Sequence, residues 1–368
     1  MTARIRRVAI NTGGGDAPGL NAVIRATVIA GLGRGWEMCG IRDGYEGLLQ
    51  PGKYPDGGVV PLTRESVRGI THLGGTILGT TNRGDPLAYP VEDADGSVTL
   101  VDRSDEIVSG LRERGIDALV AIGGDGSLRI ANALAEQGVR VVGVPKTIDN
   151  DLEETVVTFG YDTAVAFATE CIDRLHSTAE AHDRVMVVEV MGRYAGWIAV
   201  GAGVAATADA ILIPEIPFDL EPVAEKVLAR QRAGREFSIV VVAEGACPAG
   251  GDRATVPSEP GRLERLGGMG DHVAAELARR TGKDTRVVNL GHLLRGGGPT
   301  ARDRLLALRF GAAAIRGVES GCFRCMVALD PPDVRYVPLS QAIRRLRTVP
   351  LDSDLMQTAR DLGICFGD

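Results

Sequence analysis

The sequence has 368 residues, including 49 glycines, only 4% aromatic residues, and a net charge of −7. The length suits two domains, and abundant glycine with few aromatics suits an α/β protein with tight strand-to-helix turns. The negative balance argues against a nucleic-acid or membrane-surface partner, and no apolar run approaches the ~18 residues of a membrane span.

Val8–Asn11 reads as a first strand. It runs into Thr12-Gly-Gly-Gly-Asp-Ala-Pro-Gly-Leu-Asn21, and a helix follows through about Leu32. Met1–Arg7 leads straight into this strand, without the apolar core of a secretion signal. The glycine-rich turn would face a helix N-terminus toward a bound anion. Its spacing is not the dinucleotide fingerprint, and it lacks a Walker lysine. A second Gly/Thr-rich loop, Gly74–Arg83, ends in a cation. A helix is expected over about Ser104–Arg114, then a buried strand over Ala118–Ile122.

Ile122-Gly-Gly-Asp-Gly-Ser127 follows that strand, and helical periodicity starts at Ser127, with Leu128, Ile130, Ala131, Leu134 and Ala135 on one face. A further strand, Val139–Val144, leads into Pro145-Lys-Thr-Ile-Asp-Asn-Asp151. Both motifs therefore sit at the C-terminal ends of adjacent strands, where open α/β sheets bind ligands. Glycines let backbone N–H groups approach phosphate, one carboxylate can hold Mg²⁺, and another can act as a base. That is equipment for phosphoryl transfer to a hydroxyl.

Beyond Asp151 a helix is expected at about Asp162–His176, then the strand Val185–Val190 and Met191-Gly-Arg193. Ala210–Ile213 and Ser238–Ala243 read as strands, and 245–270 as a surface excursion. A helix at about Asp271–Arg280, a strand at Thr285–Leu290, the loop Gly291-His-Leu-Leu-Arg-Gly-Gly-Gly-Pro299 and a helix at Ala301–Arg316 follow. The stretch from Pro331 has little sheet character. Six cysteines, mostly in apolar stretches, read as reduced thiols of a cytoplasmic protein, and Cys322-x-x-Cys325 has no second pair to complete a metal site.

Together, Gly-Gly-Asp-Gly-Ser, Thr-Ile-Asp-Asn-Asp, Met-Gly-Arg and Gly-His-x-x-Arg-Gly-Gly resemble the phosphofructokinase family over roughly residues 5–320. The closing Ile364-Cys-Phe-Gly-Asp368 resembles tails found in part of that family. The resemblance implies an α/β fold of two Rossmann-like three-layer domains with mostly parallel sheets and an active site in the cleft between them. Residues 1–160 plus about 294–345 would form the phosphoryl-donor domain, about 161–293 the sugar-phosphate domain, and 346–368 a C-terminal tail. The implied reaction is Mg²⁺-dependent transfer of the ATP γ-phosphoryl group to the 1-hydroxyl of fructose 6-phosphate, a step of glycolysis. The implied assembly is a homo-oligomer, dimer or tetramer, with shared sites.

By the same resemblance, Asp149 is the general base, Asp151 orients it and supports the metal, and Asp125 is the Mg²⁺-associated carboxylate. Thr147 holds the acceptor end or the transferring group. Gly15, Gly124, Gly126 and Ser127 cradle the donor phosphates, with Lys146 and Arg83 as nearby cations. Arg184, Arg286, His292 and Arg295 are ligands of the sugar and its 6-phosphate; each arginine ends a predicted strand or lies in a glycine-rich loop. Arg184 and Arg286 reach a neighbouring subunit's site. Glu244 accepts from a sugar hydroxyl, and Met191, Gly192 and Arg193 form the loop that holds the sugar and steadies the transition state.

Two departures from the family pattern are Asn82, where many members carry a phosphate-bridging arginine, and Leu294, where a glutamine is usual. Pyrophosphate-dependent members place aspartate at the position of Gly126 and lysine at that of Lys146; nucleotide-dependent bacterial members commonly have glycine at both. A carboxylate at Gly126 would repel the α-phosphate, so its absence favours ATP. The alternatives are a pyrophosphate-dependent phosphotransferase and a kinase of a related sugar phosphate such as sedoheptulose 7-phosphate. The glycine loops alone suggest a dinucleotide oxidoreductase, which the missing fingerprint opposes. A non-catalytic sensor would predict loss of Asp149 or Asp125, and both are present.

Overall fold

The structure is a computed structural model describing residues 5–82, 84–92, 96–251, 255–256 and 265–368. The strands of its two main sheets are β1 (Arg7–Thr12), β2 (Glu37–Ile41), β3 (Val59–Leu62), β4 (Ala118–Gly123), β5 (Val141–Thr147), β6 (Val185–Val190), β7 (Ala210–Leu212), β8 (Ser238–Ala243), β9 (Thr285–Asn289), β10 (Cys325–Asp330) and β11 (Asp333–Pro338). The longer helices are α1 (Leu20–Leu32), α2 (Ser104–Glu113), α3 (Asp125–Glu136), α4 (Tyr161–Ala181), α5 (Trp197–Ala205), α6 (Leu220–Arg232), α7 (Met269–Thr281), α8 (Ala301–Ser320) and α9 (Asp354–Asp361). Two compact units result: residues 1–147, 152–160 and 295–345 in the first, and 148–151, 161–294 and 346–368 in the second.

The first unit has the strand order β11-β10-β5-β4-β1-β2-β3. The pairs from β10 to β2 are parallel, while β11 and β3 run antiparallel at the two edges. β4 and β5 are buried along their whole length, as the apolar runs of β4 and of residues 141–144 suit in a sheet covered on both faces. Leu128, Ala131 and Leu134 of α3 and Ile107, Val108 and Leu111 of α2 fill one face; α1 and α8 pack together on the other. The strand order reverses between β1 and β4, a topological switch point.

The second unit has a parallel sheet in the order β7-β8-β6-β9. Val185, Val187, Val240 and Val242 meet Val223 and Val227 of α6 and Val273 and Leu277 of α7 on one face. The other face carries α4 and α5. Here the order reverses between β6 and β9.

Four features differ from the sequence reading. β5 runs on through Lys146 and Thr147, because Phe159–Gly160 pairs beside them and Thr158 Oγ1 donates to the Thr147 carbonyl at 2.7 Å. α3 begins at Asp125 rather than Ser127, with Gly124 as its N-cap. Residues after Pro331 do form sheet, because β11 hairpins back onto β10 over six paired residues. Residues 346–368, expected as a separate tail, belong to the second unit. There, Cys365 bridges β7 in parallel, with Ile211 N–H donating to its carbonyl at 2.8 Å and its own N–H donating to Asp209 at 3.0 Å. Of the expected excursion at 245–270, residues 252–254 and 257–264 lie outside the described residues.

Among the described residues no helix is long and apolar enough to cross a membrane. All six cysteines are free thiols, and Cys325 Sγ donates to the Cys322 carbonyl at 2.6 Å.

Candidate active site

In the first unit, three segments converge at the switch point. The Gly13–Gly15 turn leaves β1, with Gly13 N–H donating to Ile122 of β4 and Gly14 N–H to Thr81, each at 3.0 Å. Thr12 Oγ1 donates to the Gly79 carbonyl and Thr80 Oγ1 to the Gly14 carbonyl, each at 2.6 Å. Asn21 of α1 donates to Gly74 at 3.0 Å and accepts from Ile77 N–H at 2.9 Å. The two glycine-rich loops are thus stitched into one surface.

The N-terminus of α3 meets that surface. A β-carbon on Gly13 would stand 2.7 Å from Ser127 Oγ, so the hydroxyl lies over the first loop. Gly124 lies against Lys146 and Thr147: a β-carbon there would be 3.4 Å from the Lys146 carbonyl and 3.7 Å from Thr147 Cβ. Among the described residues there is open space around Gly126, with nothing beyond its own chain neighbours and helix backbone within 4 Å of where a β-carbon would stand. The N–H groups in the first turn of α3 have no partner within the helix, so this end is suited to an anion.

Lys146 is only 3% exposed, and its Nζ donates to the Gly15 carbonyl. Arg295 Nη1 donates to the Asp16 carbonyl at 3.1 Å. Gly15 lets that guanidinium lie close to the backbone: a β-carbon there would be 2.7 Å from Nη1, and the arginine would have to shift. Asp125 pairs with Arg129 one turn on, Oδ2 to Nε at 2.9 Å; its Oδ1 is buried and meets no hydrogen-bond partner among the described residues. Gly15, Gly124, Asp125, Gly126, Ser127, Lys146, Thr147 and Arg295 are therefore brought together. Arg83 lies outside the described residues, and Asn82 beside it is exposed.

In the second unit a carboxylate-rich group collects at the C-terminal ends of β6 and β8. Asp149–Asp151 turns through Asn150, whose φ is 53°. Met191, Gly192 and Arg193 follow β6, and Glu244 follows β8, its N–H donating to the Val190 carbonyl at 2.9 Å. The two loops touch closely: a β-carbon on Gly245 would lie 2.0 Å from the Arg193 carbonyl. Burial pushes the Glu244 carboxyl up to about 7. The negative charges of Asp149 and Glu189 add to that rise, and the Arg193 cation opposes it.

His292 lies on the exposed turn after β9, and Leu294, one of the two departures from the family pattern, is 1% exposed. Arg184 and Arg286 do not end strands. Arg184 precedes β6 and Arg286 is the second residue of β9, so both lie at the N-terminal edge of the parallel sheet. At ~3.3 Å per residue, Arg184 is roughly 20 Å along the strand from Met191. There the two arginines share Asp284, Arg184 Nε at 2.6 Å from Oδ2 and Arg286 Nη1 on Oδ1.

Several supporting residues were not singled out from sequence. Glu189, 2% exposed, accepts from Gly270 N–H at 2.6 Å and from Asn289 Nδ2 at 2.8 Å, tying β6 to α7 and β9. A charged residue inside Val-Met-Val-Val-Glu-Val was the available signal. For Asn21, Trp197, Glu215 and Arg347 the partners are distant in sequence, and no local pattern marks them.

Two parallel α/β units, one with glycine loops and a helix N-terminus at its switch point, define the class of proteins that bind phosphorylated ligands at strand C-termini. The sequence model of the family described as Phosphofructokinase matches residues 7–318, and the chain belongs to that family. It is 50% identical to an "ATP-dependent 6-phosphofructokinase" of Chloroflexus aurantiacus over 371 residues, covering 100% of this chain and 99% of the relative. It is 49% identical to a "Pyrophosphate--fructose 6-phosphate 1-phosphotransferase" of Amycolatopsis mediterranei over 350 residues, covering 94% and 97%. Among solved structures, Pichia pastoris phosphofructokinase in the T-state aligns with a TM-score of 0.78 at 31% identity, covering 93% of this chain and 36% of that one. A pyrophosphate-dependent phosphofructokinase from Marinobacter aquaeolei shares the fold, with a TM-score of 0.80 at 20% identity over 98% and 91% of the two chains.

Proposed function

We propose that the protein is a 6-phosphofructokinase that moves the γ-phosphoryl group of ATP to the 1-hydroxyl of fructose 6-phosphate, with Mg²⁺, in the cytoplasm. Full-length similarity to proteins of that name supports the reaction. The observation that carries the choice of donor is the open space at Gly126. A nucleotide needs room for its α-phosphate beside the start of α3, and among the described residues no side chain fills it.

The first-turn N–H groups of α3, the Gly15 loop and Ser127 would hold the donor phosphates, and Lys146 would add a fixed positive charge. Asp149 would take the proton from the attacking hydroxyl as it meets the phosphorus, with Asp151 beside it in the same turn. Thr147 would hold the group in transfer, and Arg193 would stabilise the charge that spreads over it. Met191, Gly192 and Glu244 would fix the sugar, and His292 and Arg295 its 6-phosphate. Arg184 and Arg286, at the far edge of the sheet, would serve the site of a neighbouring copy in a dimer or tetramer.

The residues present fit Mg²⁺. The buried Oδ1 of Asp125, without a hydrogen-bond partner among the described residues, is a hard oxygen that would ligate the cation. When bound, Mg²⁺ neutralises charge on the phosphate oxygens.

A second reading, pyrophosphate as donor, is favoured by the buried Lys146 held at the first glycine loop. The test is purified protein assayed with ATP and with pyrophosphate against fructose 6-phosphate, sedoheptulose 7-phosphate and other sugar phosphates. ATP with fructose 6-phosphate should be fastest; a much higher rate with pyrophosphate would overturn the donor. Asp149→Asn should lower kcat by ~10²–10⁴-fold with sugar KM little changed. Turnover above half the wild-type rate would remove Asp149 from the role of base.

A further inference from the structure

We propose that Arg347 is a positioning residue for the Asp149–Asp151 turn, and that residues 347–349 form a strap holding that turn and the 191–197 loop in register; this rests on the function proposed above. The backbone N–H of Arg347 donates to the Asp151 carbonyl at 2.8 Å, and its Nη1 donates to the Asn150 carbonyl at 3.4 Å. One residue thus grips both carbonyls that follow Asp149. Asn150 sits at a left-handed φ of 53°, a conformation that persists where surrounding contacts fix it.

The aim of Arg347 is itself fixed. Its guanidinium lies over the Trp197 ring, 4.4 Å from the centroid, and Trp197 Nε1 donates back to the Arg347 carbonyl at 3.0 Å. Two residues on, Val349 N–H donates to Glu215 Oε1 at 2.8 Å. The same Glu215 oxygen accepts from Gly196 N–H at 3.0 Å. Gly196 closes the loop that carries Arg193, and Trp197 starts α5. A single three-residue stretch therefore ties the carboxylate turn and the Arg193 loop together.

The chemistry of Arg347 argues for this use. Burial pulls its pKa below the ordinary guanidinium value. The guanidinium's described hydrogen bond is to the Asn150 backbone carbonyl, and a guanidinium used in this way fixes main-chain geometry rather than neutralising a charge. A carboxylate acting as a base must meet its proton within a few tenths of an ångström, and small misplacements cost large factors in rate.

The test is a double-mutant cycle in the full chain between Arg347→Gln and Asp149→Asn, with kcat, both KM values and Tm measured. Arg347→Gln alone should lower kcat by ~10–10²-fold with both KM values within about twofold of wild type. In the Asp149→Asn background it should cost little more, because the group it positions is already disabled. An equal loss on both backgrounds, or an unchanged kcat in the single variant, would overturn the proposal. If Arg347→Gln lowers Tm sharply, Trp197→Phe replaces it in the cycle; that change removes the Nε1 donation and keeps an aromatic face, and the same outcomes decide. Failure of the proposed function is read separately, from Asp149→Asn alone retaining activity.

Discussion

Glu244 sits where burial, the negative charges of Asp149 and Glu189 and the positive charge of Arg193 all act on one carboxyl. In the unfolded chain this group ionises near 4.5; in the fold it does so near 7. Between those values the unfolded state sheds a proton that the folded state keeps, so stability falls as pH rises through the window and levels off above it. Glu244→Gln removes the titration, and the difference in Tm between pH 5 and pH 8 should be smaller than in wild type. Melting curves at four pH values in that range would test it, and parallel curves for the two proteins would refute it. Asp125, Asp149, Asp151 and Arg193 were legible as candidates in the sequence because they stand in dense motifs, whereas the motif reading did not anticipate that Arg184 and Arg286 lie at the opposite edge of the sheet. Arg347 was not legible, because its partner Asp151 lies 196 positions away and nothing near either residue announces the bond.

For strands and helices, periodicity located most elements and misjudged their ends. Pro145 read as the start of a loop, yet β5 continues to Thr147 because a two-residue strand lies alongside. Lys146 and Thr147 thereby gain the rigidity of a sheet. α3 starts two residues earlier than its apolar face suggests, because Asp125 and Gly126 lie in its first turn without contributing to the core. Their position matters for donor choice. Gly126→Asp would add a carboxylate in open space at the helix start, and should depress the rate with ATP far more than the rate with pyrophosphate. Parallel assays with the two donors measure the ratio; full retention of ATP activity would show that this space is not where the α-phosphate lies. β11 was missed for another reason: Asp333-Val-Arg-Tyr-Val-Pro338 is short and set between prolines, which read as loop, and its pairing with β10 defines it.

The assembly sets the largest expectation. Arg184 and Arg286 stand at the edge of their sheet opposite Met191 and Glu244, sharing Asp284. If a neighbouring copy uses them, two defective variants can rescue one another. Asp149→Asn and Arg184→Ala, each inactive alone, should regain measurable activity when co-expressed and purified as mixed oligomers. Mixed oligomers as inactive as their parents would place both arginines outside the reaction. The two-unit layout was only partly legible. The order of strands and helices was readable, but the passage of 148–151 and 346–368 into the second unit depends on long-range contacts that no local window contains.

The central sheet of the first unit also dictates a timetable. β5 receives its outer neighbour from β10, with Val142 beside Cys325 and Gly143 beside Met326. Nearly two hundred residues must leave the ribosome between those partners, and throughout that interval the stretch of β5 around Val142 and Gly143 keeps backbone groups unpaired on that side. Pairings so far apart close slowly. The nascent chain is therefore most prone to sticking to its neighbours midway through synthesis, when its most buried strands are made and their cover is not.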